Sequence, residues 1–162
     1  MQVDYEVLKV KAIDMLKERG VTLDDIAGIT YEIQKEYYDD ITFSVCLYHV
    51  NNVLTKREVI NAVLTGLTLD ILTEKGYVDE PLRSMLMNDY GLYGIDEVLA
   101  YSIVNVYGSI GLTNFGYIDK LKLGIIGEID RIGKEPNKCN TFLDDIVGAI
   151  AASAASRIAH TK

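Results

Sequence analysis

Three short acidic segments carry the side chains best suited to chemistry in the second half of the sequence. Asp96 and Glu97 stand together, Asp119 follows alone, and Asp144 and Asp145 form a second pair. Carboxylate oxygens are the ligands that Mg²⁺ and Mn²⁺ prefer, usually one or two carboxylates combined with waters and phosphate oxygens. The pattern therefore indicates a site for one of these two ions.

The same acidic pairs have a structural alternative, because acids are favoured in the first turn of any helix. Asp144 lies three residues after Thr141, which is the spacing of a capping box. That cap does not explain Asp145, which stands on a line of small residues expected to face inward. The line consists of Gly148, Ala152 and Ser156. A carboxylate directed at packed neighbours needs a cation, so Asp145 is the strongest candidate for a ligand.

Polar residues around Asp119 could bind an anion. Lys122 is a candidate phosphate ligand, and Ser109, Thr113 and Asn114 offer hydroxyl and amide donors. A solvated helix face and a polar helix connection explain these four residues equally well. Other catalytic patterns are missing: the sequence has two histidines and contains no HExxH, GxSxG or GxxxxGK[ST] motif.

The segments that must position these residues are all predicted to be helices. Apolar residues recur at helical spacing, and no window shows the alternation of a strand. The pattern predicts one helix after Thr42 and others over 4–19, 22–37, 55–75, 79–87, 95–107, 117–132 and 141–160. Residues 108–116 are expected to form a polar connection.

Several helix starts carry capping signals. Thr22 with Asp25 predicts one N-terminus, and Thr42 predicts another. Thr55 with Glu58 predicts a capping box at the start of the long fourth helix.

The last predicted helix differs from the others because small residues surround it on nearly every side. Such a helix can be approached closely by several neighbours. We expect an all-α fold in which residues 1–162 form one compact multihelical domain, with this C-terminal helix at the centre.

Charge and composition narrow the function further. The net charge is -8 and the isoelectric point is about 4.7, which excludes the electrostatic pattern of a nucleic-acid-binding protein and opposes docking on an anionic membrane. The first twenty residues have no apolar core of a signal peptide, and no window predicts a membrane span. We expect a cytoplasmic protein in which Cys46 and Cys139 are free thiols.

Three motifs in order resemble the phosphatidylglycerophosphatase A family. They are GIDEV with Asp96 and Glu97, the segment FGYIDKLKLGIIGEIDR with Asp119 and Lys122, and TFLDDIVGAIAAS with Asp144 and Asp145. The family match covers roughly residues 94–156. Over nearly its full length, the chain is similar to the soluble branch of this family in Gram-positive bacteria, the low temperature requirement C proteins.

The resemblance implies Mg²⁺-dependent removal of the terminal phosphate from phosphatidylglycerophosphate. It implies that the two acidic pairs hold one or two metal ions and that Lys122 pairs with the phosphate. Asp119 would be a further ligand or the base that positions a water, and Asp145 and Lys122 would act beside it in catalysis. An Ala-rich centre and many tyrosines are compatible with a homo-oligomer.

The chain departs from the family pattern at two motif positions. Leu123 stands where the family has proline, and Gly116 stands where it has arginine. The N-terminal Gly-Thr-x-Gly-Ser motif has no counterpart. Two alternatives therefore stay open: a phosphatase for a water-soluble ester, and a non-catalytic oligomeric metal- or anion-binding protein of stress adaptation. If the substrate is phosphatidylglycerophosphate, contact with a membrane would be peripheral.

Overall fold

The computed structural model describes residues 3–162 and contains only helices and connections within that range. The α-helices, in chain order, are α1 Tyr5–Glu18, α2 Leu23–Gln34, α3 Phe43–Val53, α4 Arg57–Glu74, α5 Leu82–Met87, α6 Ile95–Val104, α7 Gly108–Leu121, α8 Ile125–Gly133 and α9 Leu143–Thr161. A short 3₁₀ helix, Asn105–Tyr107, joins α6 to α7. The all-α prediction is confirmed.

Helix α9 lies at the centre of the fold, as its small residues predict. It packs against α2, α3, α4, α6, α7 and α8, and every residue from 143 to 156 is buried. The close approach of α4 depends on Gly66, because a Cβ atom there would lie 2.5 Å from Ile146 Cδ1 and 2.8 Å from Leu99 Cδ2. Packing of this density leaves no room for even one extra methyl group.

The predicted helix starts are partly confirmed. The Thr22 hydroxyl accepts from the Asp25 amide while the Asp25 carboxylate accepts from the Thr22 amide, and Thr42 caps α3 through the amide of Val45. The capping box at Thr55 is wrong. The Thr55 hydroxyl instead donates to the Asn52 carbonyl at 2.7 Å, which closes the end of α3, and α4 begins at Arg57 without a side-chain cap.

The prediction of a loop over 108–116 and a single helix over 117–132 is also wrong. Helix α7 begins at Gly108 because Gly111, Phe115 and Ile118 recur at helical spacing and are buried. The helix ends at Leu121, where Lys122 takes a left-handed conformation with φ +48°. This break turns the chain into α8 and, as shown below, places the Lys122 side chain in the candidate site.

Candidate active site

An acidic cavity of about 150 Å³ forms where the loop after α5, the start of α6, the end of α7 and the start of α9 meet. Six carboxyl groups and one ammonium group line it, together with a tyrosine and two glycines. The complete lining is Asp89, Tyr90, Gly91, Gly94, Asp96, Glu97, Asp119, Lys122, Asp144 and Asp145. The fold thus brings together all five acids singled out in the sequence.

The start of α9 is fixed by a residue that the sequence pattern did not indicate. Asp70 of α4 accepts hydrogen bonds from the Leu143 amide at 3.0 Å and from the Phe142 amide at 3.2 Å. The prediction that Thr141 caps α9 is wrong, because the Thr141 hydroxyl donates instead to the Leu86 carbonyl at 2.6 Å. Asp144 therefore has no capping-box partner at Thr141.

The preceding loop is held by a second tertiary contact. Arg19 forms an ion pair with Glu74 at 2.8 Å, and the Glu74 carboxylate accepts from the Cys139 amide at 2.9 Å. The Arg19 guanidinium also donates to the Cys139 carbonyl and to the Asn140 side chain. These contacts fix the chain before α9 and with it the positions of Asp144 and Asp145.

Asp119, Asp144 and Asp145 form the tightest acidic group of the cavity. One carboxylate oxygen of each lies within 4.8 Å of the other two. Asp145 is 6% exposed, and no hydrogen-bond donor of the described residues pairs with its carboxylate. Nearby, the buried Oδ1 of Asp96 has no hydrogen-bond partner within residues 3–162. Buried polar atoms are seldom left unpaired, so this oxygen needs a donor or a cation.

Lys122 is the cation that this group already contains. Its Nζ lies 2.8 Å from Asp119 Oδ1 and 3.1 Å from Asp144 Oδ2. Burial lowers the pKa of Lys122, but the hydrogen bond that Lys122 donates to Asp119 and the charge of Asp144 outweigh this effect, so the pKa is raised above its ordinary value. A left-handed conformation of a lysine is uncommon and is found where the surrounding structure imposes it.

The two carboxyl groups on α9 have raised pKa values, whereas the pKa of a carboxyl group in a typical ion pair is lowered. Burial raises the pKa of Asp145, and the neighbouring charges of Asp144, Asp96 and Asp119 raise it further. Burial also raises the pKa of Asp144, although Lys122 opposes this. Perturbed carboxyl groups in a cleft are typical of functional sites.

Asp89 belongs to the cavity but was missed from the sequence. It lies in the loop between α5 and α6 with φ +46°, and its pKa is raised by burial and by the charge of Asp96. The sequence feature that could have indicated Asp89 is its position as the acidic residue in the turn sequence NDYGLYG. Glu97, which was predicted, lines the cavity from an exposed position on α6.

The predicted phosphate-binding residues of α7 lie elsewhere. Ser109, Thr113 and Asn114 line a different cavity of about 290 Å³, beside Gln34 and Tyr37. At about 100° per residue, Asn114 and Asp119 lie on opposite flanks of α7. The structure therefore does not bring these three residues to Lys122, and their role in phosphate binding stays a prediction.

The acidic cavity has the chemistry of a divalent-cation site. Its candidate metal ligands are all carboxylate oxygen atoms, which suit Mg²⁺ or Mn²⁺ better than softer metals. Within residues 3–162, the buried Oδ1 of Asp96 has no hydrogen-bond partner, and Lys122 pairs with only two of the six acids. The residues present therefore fit a bound cation.

Within residues 3–162, every helix is either too short or too polar to cross a lipid bilayer.

Known proteins resemble this chain over nearly its whole length. It is 54% identical over 156 residues to YutG of Bacillus subtilis (strain 168), which covers 96% of this chain and 93% of that protein. The identity to YpjQ of the same organism is 57% over 148 residues, or 91% and 82% of the two proteins.

A solved structure gives the same result in three dimensions. The low temperature requirement C protein from Listeria monocytogenes superposes with a TM-score of 0.92 at 53% identity, covering 95% of this chain and 96% of that one. The sequence pattern described for phosphatidylglycerophosphatase A matches residues 12–160. The chain belongs to the phosphatidylglycerophosphatase A family.

Proposed function

We propose that this protein is a Mg²⁺- or Mn²⁺-dependent phosphomonoester hydrolase acting on the head group of phosphatidylglycerophosphate. The observation that carries the proposal is Asp145, a buried carboxylate without a hydrogen-bond donor in a cavity of six acids and one lysine. Burial and the neighbouring carboxylates make ionisation of Asp145 unfavourable, so the fold does not gain stability from this group. Family membership supplies the class of reaction.

The carboxylates divide into ligands and positioning groups. Asp96, Asp144 and Asp145 are the buried or half-buried candidates to hold the cation, and Glu97 lines the same cavity from a more exposed position. Such an ion neutralises phosphate oxygens and makes a bound water more acidic. The Asp119 side chain is 38% exposed, so it can orient an incoming water and accept its proton.

Lys122 is the group that would hold the phosphate. Its ammonium is fixed between Asp119 and Asp144, so a phosphate that enters the cavity meets a preoriented donor rather than a flexible side chain. In the hydrolysis, the water oxygen bonds to phosphorus and the ester P–O bond breaks. The alcohol leaves with a proton and inorganic phosphate stays behind.

Exposed apolar residues beside the cavity favour a lipid substrate. Leu92 is 86% exposed, Ile95 53% and Val98 58%, and they flank Gly91, Gly94 and Asp96 in the sequence. This segment could contact the glycerol and acyl region of a lipid whose phosphate occupies the cavity. The net charge of -8 favours a second candidate, a water-soluble phosphate ester, because the protein repels anionic bilayers.

A substrate panel tests the proposal. We would measure phosphate release from phosphatidylglycerophosphate in mixed micelles, from glycerol 3-phosphate and from p-nitrophenyl phosphate, each with Mg²⁺, Mn²⁺ or EDTA. Metal-dependent turnover that is fastest on the lipid supports the first candidate, and faster turnover on glycerol 3-phosphate supports the second. No turnover on any substrate would instead favour a non-catalytic binding protein and contradict the proposal.

A matched variant connects the activity to the cavity. Asp145→Asn should abolish turnover, while Asp24→Asn, which changes an exposed acid in the first turn of α2, should leave it unchanged. Equal activity of the two variants would mean that the hydrolysis, if present, takes place elsewhere.

A further inference from the structure

A second cavity lies where the end of α2, the first half of α7 and the end of α9 meet. It has a volume of about 290 Å³ and shares no lining residue with the acidic cavity. Two aliphatic side chains and six side chains that can form hydrogen bonds line it. The six are Gln34, Tyr37, Tyr38, Ser109, Thr113 and Asn114. None of the lining residues is charged, although charged residues make up 25% of the chain.

Gln34, the last residue of α2, carries the observation that points to a ligand. It is 4% exposed, yet its Oε1 has no hydrogen-bond partner within residues 3–162. Its Nε2 donates to the Ile33 carbonyl at 3.4 Å, which is longer than an ordinary N–H···O hydrogen bond. A side-chain amide has two N–H donors and an acceptor oxygen, so most of this capacity is unused. Because buried polar groups are seldom left unpaired, a molecule in the cavity would satisfy this amide.

Gln34 also fixes the two tyrosines beside it. Its backbone carbonyl accepts from the Tyr37 amide at 3.0 Å and from the Tyr38 amide at 3.1 Å. Tyr37 also lines a neighbouring cavity of about 340 Å³, together with Thr113 and Asn114, so the two cavities adjoin. A tyrosine presents an apolar ring and a polar hydroxyl. This combination suits a ligand that carries both C–H and O–H groups.

The wall that α7 contributes is polar and uncharged. The Thr113 hydroxyl donates to the Ser109 carbonyl at 3.0 Å, so its oxygen can still accept a hydrogen bond. Ser109 adds a second hydroxyl, and the half-buried Asn114 adds an amide. Hydroxyls and side-chain amides both donate and accept hydrogen bonds. A ligand with several hydroxyls matches such a wall, because its own groups also do both.

Two lysines near the cavity are already paired with acids. Lys162 lies over the Tyr38 ring, with its Nζ 5.7 Å from the ring centroid, and forms an ion pair with Asp40. Lys35 lines the neighbouring cavity and pairs with Glu32 at 2.6 Å. The lining of the cavity itself contains no cation. The charges around it therefore favour a neutral ligand over an anionic one.

We propose that this cavity binds a neutral polyhydroxylated molecule, held by the amides of Gln34 and Asn114 and by the hydroxyls on α7. One ligand hydroxyl would donate to Gln34 Oε1, and the C–H groups would pack against Tyr37 and Tyr38. The volume is at the lower end for small-molecule sites, which suits one sugar ring or an open-chain polyol of similar size. This site is independent of the proposed hydrolysis in the acidic cavity.

NMR titration of ¹⁵N-labelled protein in EDTA tests the proposal. D-glucose and D-sorbitol are the two probes, because they have the same number of carbon atoms in a ring and in an open chain. Saturable shifts are expected for the side-chain NH₂ groups of Gln34 and Asn114 and for the backbone amides of 109–114. Tighter binding of glucose identifies a sugar site, and tighter binding of sorbitol identifies a polyol site.

Three variants connect the shifts to the cavity. Gln34→Leu should weaken binding about tenfold or more, because it removes a buried hydrogen-bonding group, and Asn114→Ala should weaken it about threefold to tenfold. Asn61→Ala is the matched control, since Asn61 is exposed on α4 and lines neither of the two adjoining cavities. If Gln34→Leu does not fold, Asn114→Ala alone decides, because its side chain is only half-buried.

Inorganic phosphate is the third titrant. Phosphate that shifts the same amides while glucose and sorbitol do not would overturn the proposal and favour the anion-binding role expected for Ser109, Thr113 and Asn114. Absence of saturable shifts with either probe, or equal affinity in the folded variants and the wild type, would also overturn it. None of these results depends on turnover, so they leave the hydrolase proposal to its own test.

Discussion

Asp70 and Asp145 are two buried aspartates at the same end of the central helix, but their carboxylates differ in their hydrogen bonds and in the charges around them. Asp70 is fully buried and accepts hydrogen bonds from the amides of Phe142 and Leu143. Asp145 is buried almost as well, but no donor within residues 3–162 hydrogen-bonds to it, and carboxylates surround it. The fold itself accounts for Asp70, whereas the proposed function accounts for Asp145 as a metal ligand.

The difference is one of energy as well as geometry. A buried carboxylate that caps a helix replaces its lost water with amide donors and with the positive end of the dipole. Asp145 has no such amide donors within residues 3–162, and burial among other carboxylates disfavours its ionised form in the metal-free chain. We infer that the fold keeps this group for function rather than for stability.

The largest expected effect is on metal binding at Asp145. Asp145→Asn should weaken Mg²⁺ or Mn²⁺ binding by more than about 100-fold, because losing even an outer partner of a metal ligand reduces affinity about 10–100-fold. Isothermal titration calorimetry measures this directly. Asp24→Asn is the matched control, and equal affinity in both variants would show that Asp145 is not a ligand.

The next effect is on stability at Asp70. Asp70→Ala should lower the free energy of unfolding by about 3 kcal/mol, because it leaves two amides at the start of α9 buried without an acceptor. Urea denaturation measures the change. Thr141→Val, which removes a hydroxyl bonded to a single carbonyl, should lower it by only about 1 kcal/mol. A larger loss at Thr141 than at Asp70 would mean that Asp70 is not the cap.

A smaller effect of the opposite sign is expected for the stability of Asp145→Asn. In EDTA the variant should be more stable than the wild type by about 1–3 kcal/mol, since the wild type must either bury a poorly solvated carboxylate or take up a proton when it folds. Thermal or urea unfolding measures this, and the gain should vanish or reverse with saturating Mg²⁺ because only the wild type binds the ion. Destabilisation in EDTA would show that Asp145 has a structural partner.

The same comparison explains how much of the molecule the sequence could predict. The central position of α9 followed from its small residues, and the five acids of the cavity followed from their residue types. Neither inference needs long-range information. Helix α9 is identified by local composition, and carboxylates in the first turns of helices come together when those turns share one end of the fold.

What the sequence could not predict are contacts between distant segments. Thr141 had the spacing of a cap, but Leu86 of another helix accepts its hydroxyl and Asp70, more than seventy residues earlier, takes its place. The left-handed break at Lys122 was hidden because lysine is a good helix former, and tertiary ion pairs overrode that preference. Asp89 reaches the cavity only because its loop turns back toward α6.

The smallest expected effect is the pH dependence of metal binding. It involves Asp145 and not Asp70. Since the pKa of Asp145 is raised above its ordinary value, the metal-free chain holds a proton there that the cation must displace. Apparent affinity for Mg²⁺ should therefore increase as the pH rises from about 5 to about 8, and binding should release protons.

Calorimetry in two buffers of different ionisation enthalpy counts these protons. Without metal the sign reverses: the folded chain keeps a proton that the unfolded chain releases above about pH 4, so the free energy of unfolding should fall as the pH rises. Asp145→Asn should remove only its own part of that slope, because burial also raises the pKa of Asp70 to about 8 and that of Asp144 to about 6. Asp70 lies outside the acidic cavity, so metal binding should leave its protonation unchanged. An affinity that stays constant with pH, without proton release, would mean that Asp145 is already ionised in the metal-free chain and that the contrast between the two aspartates is geometric only.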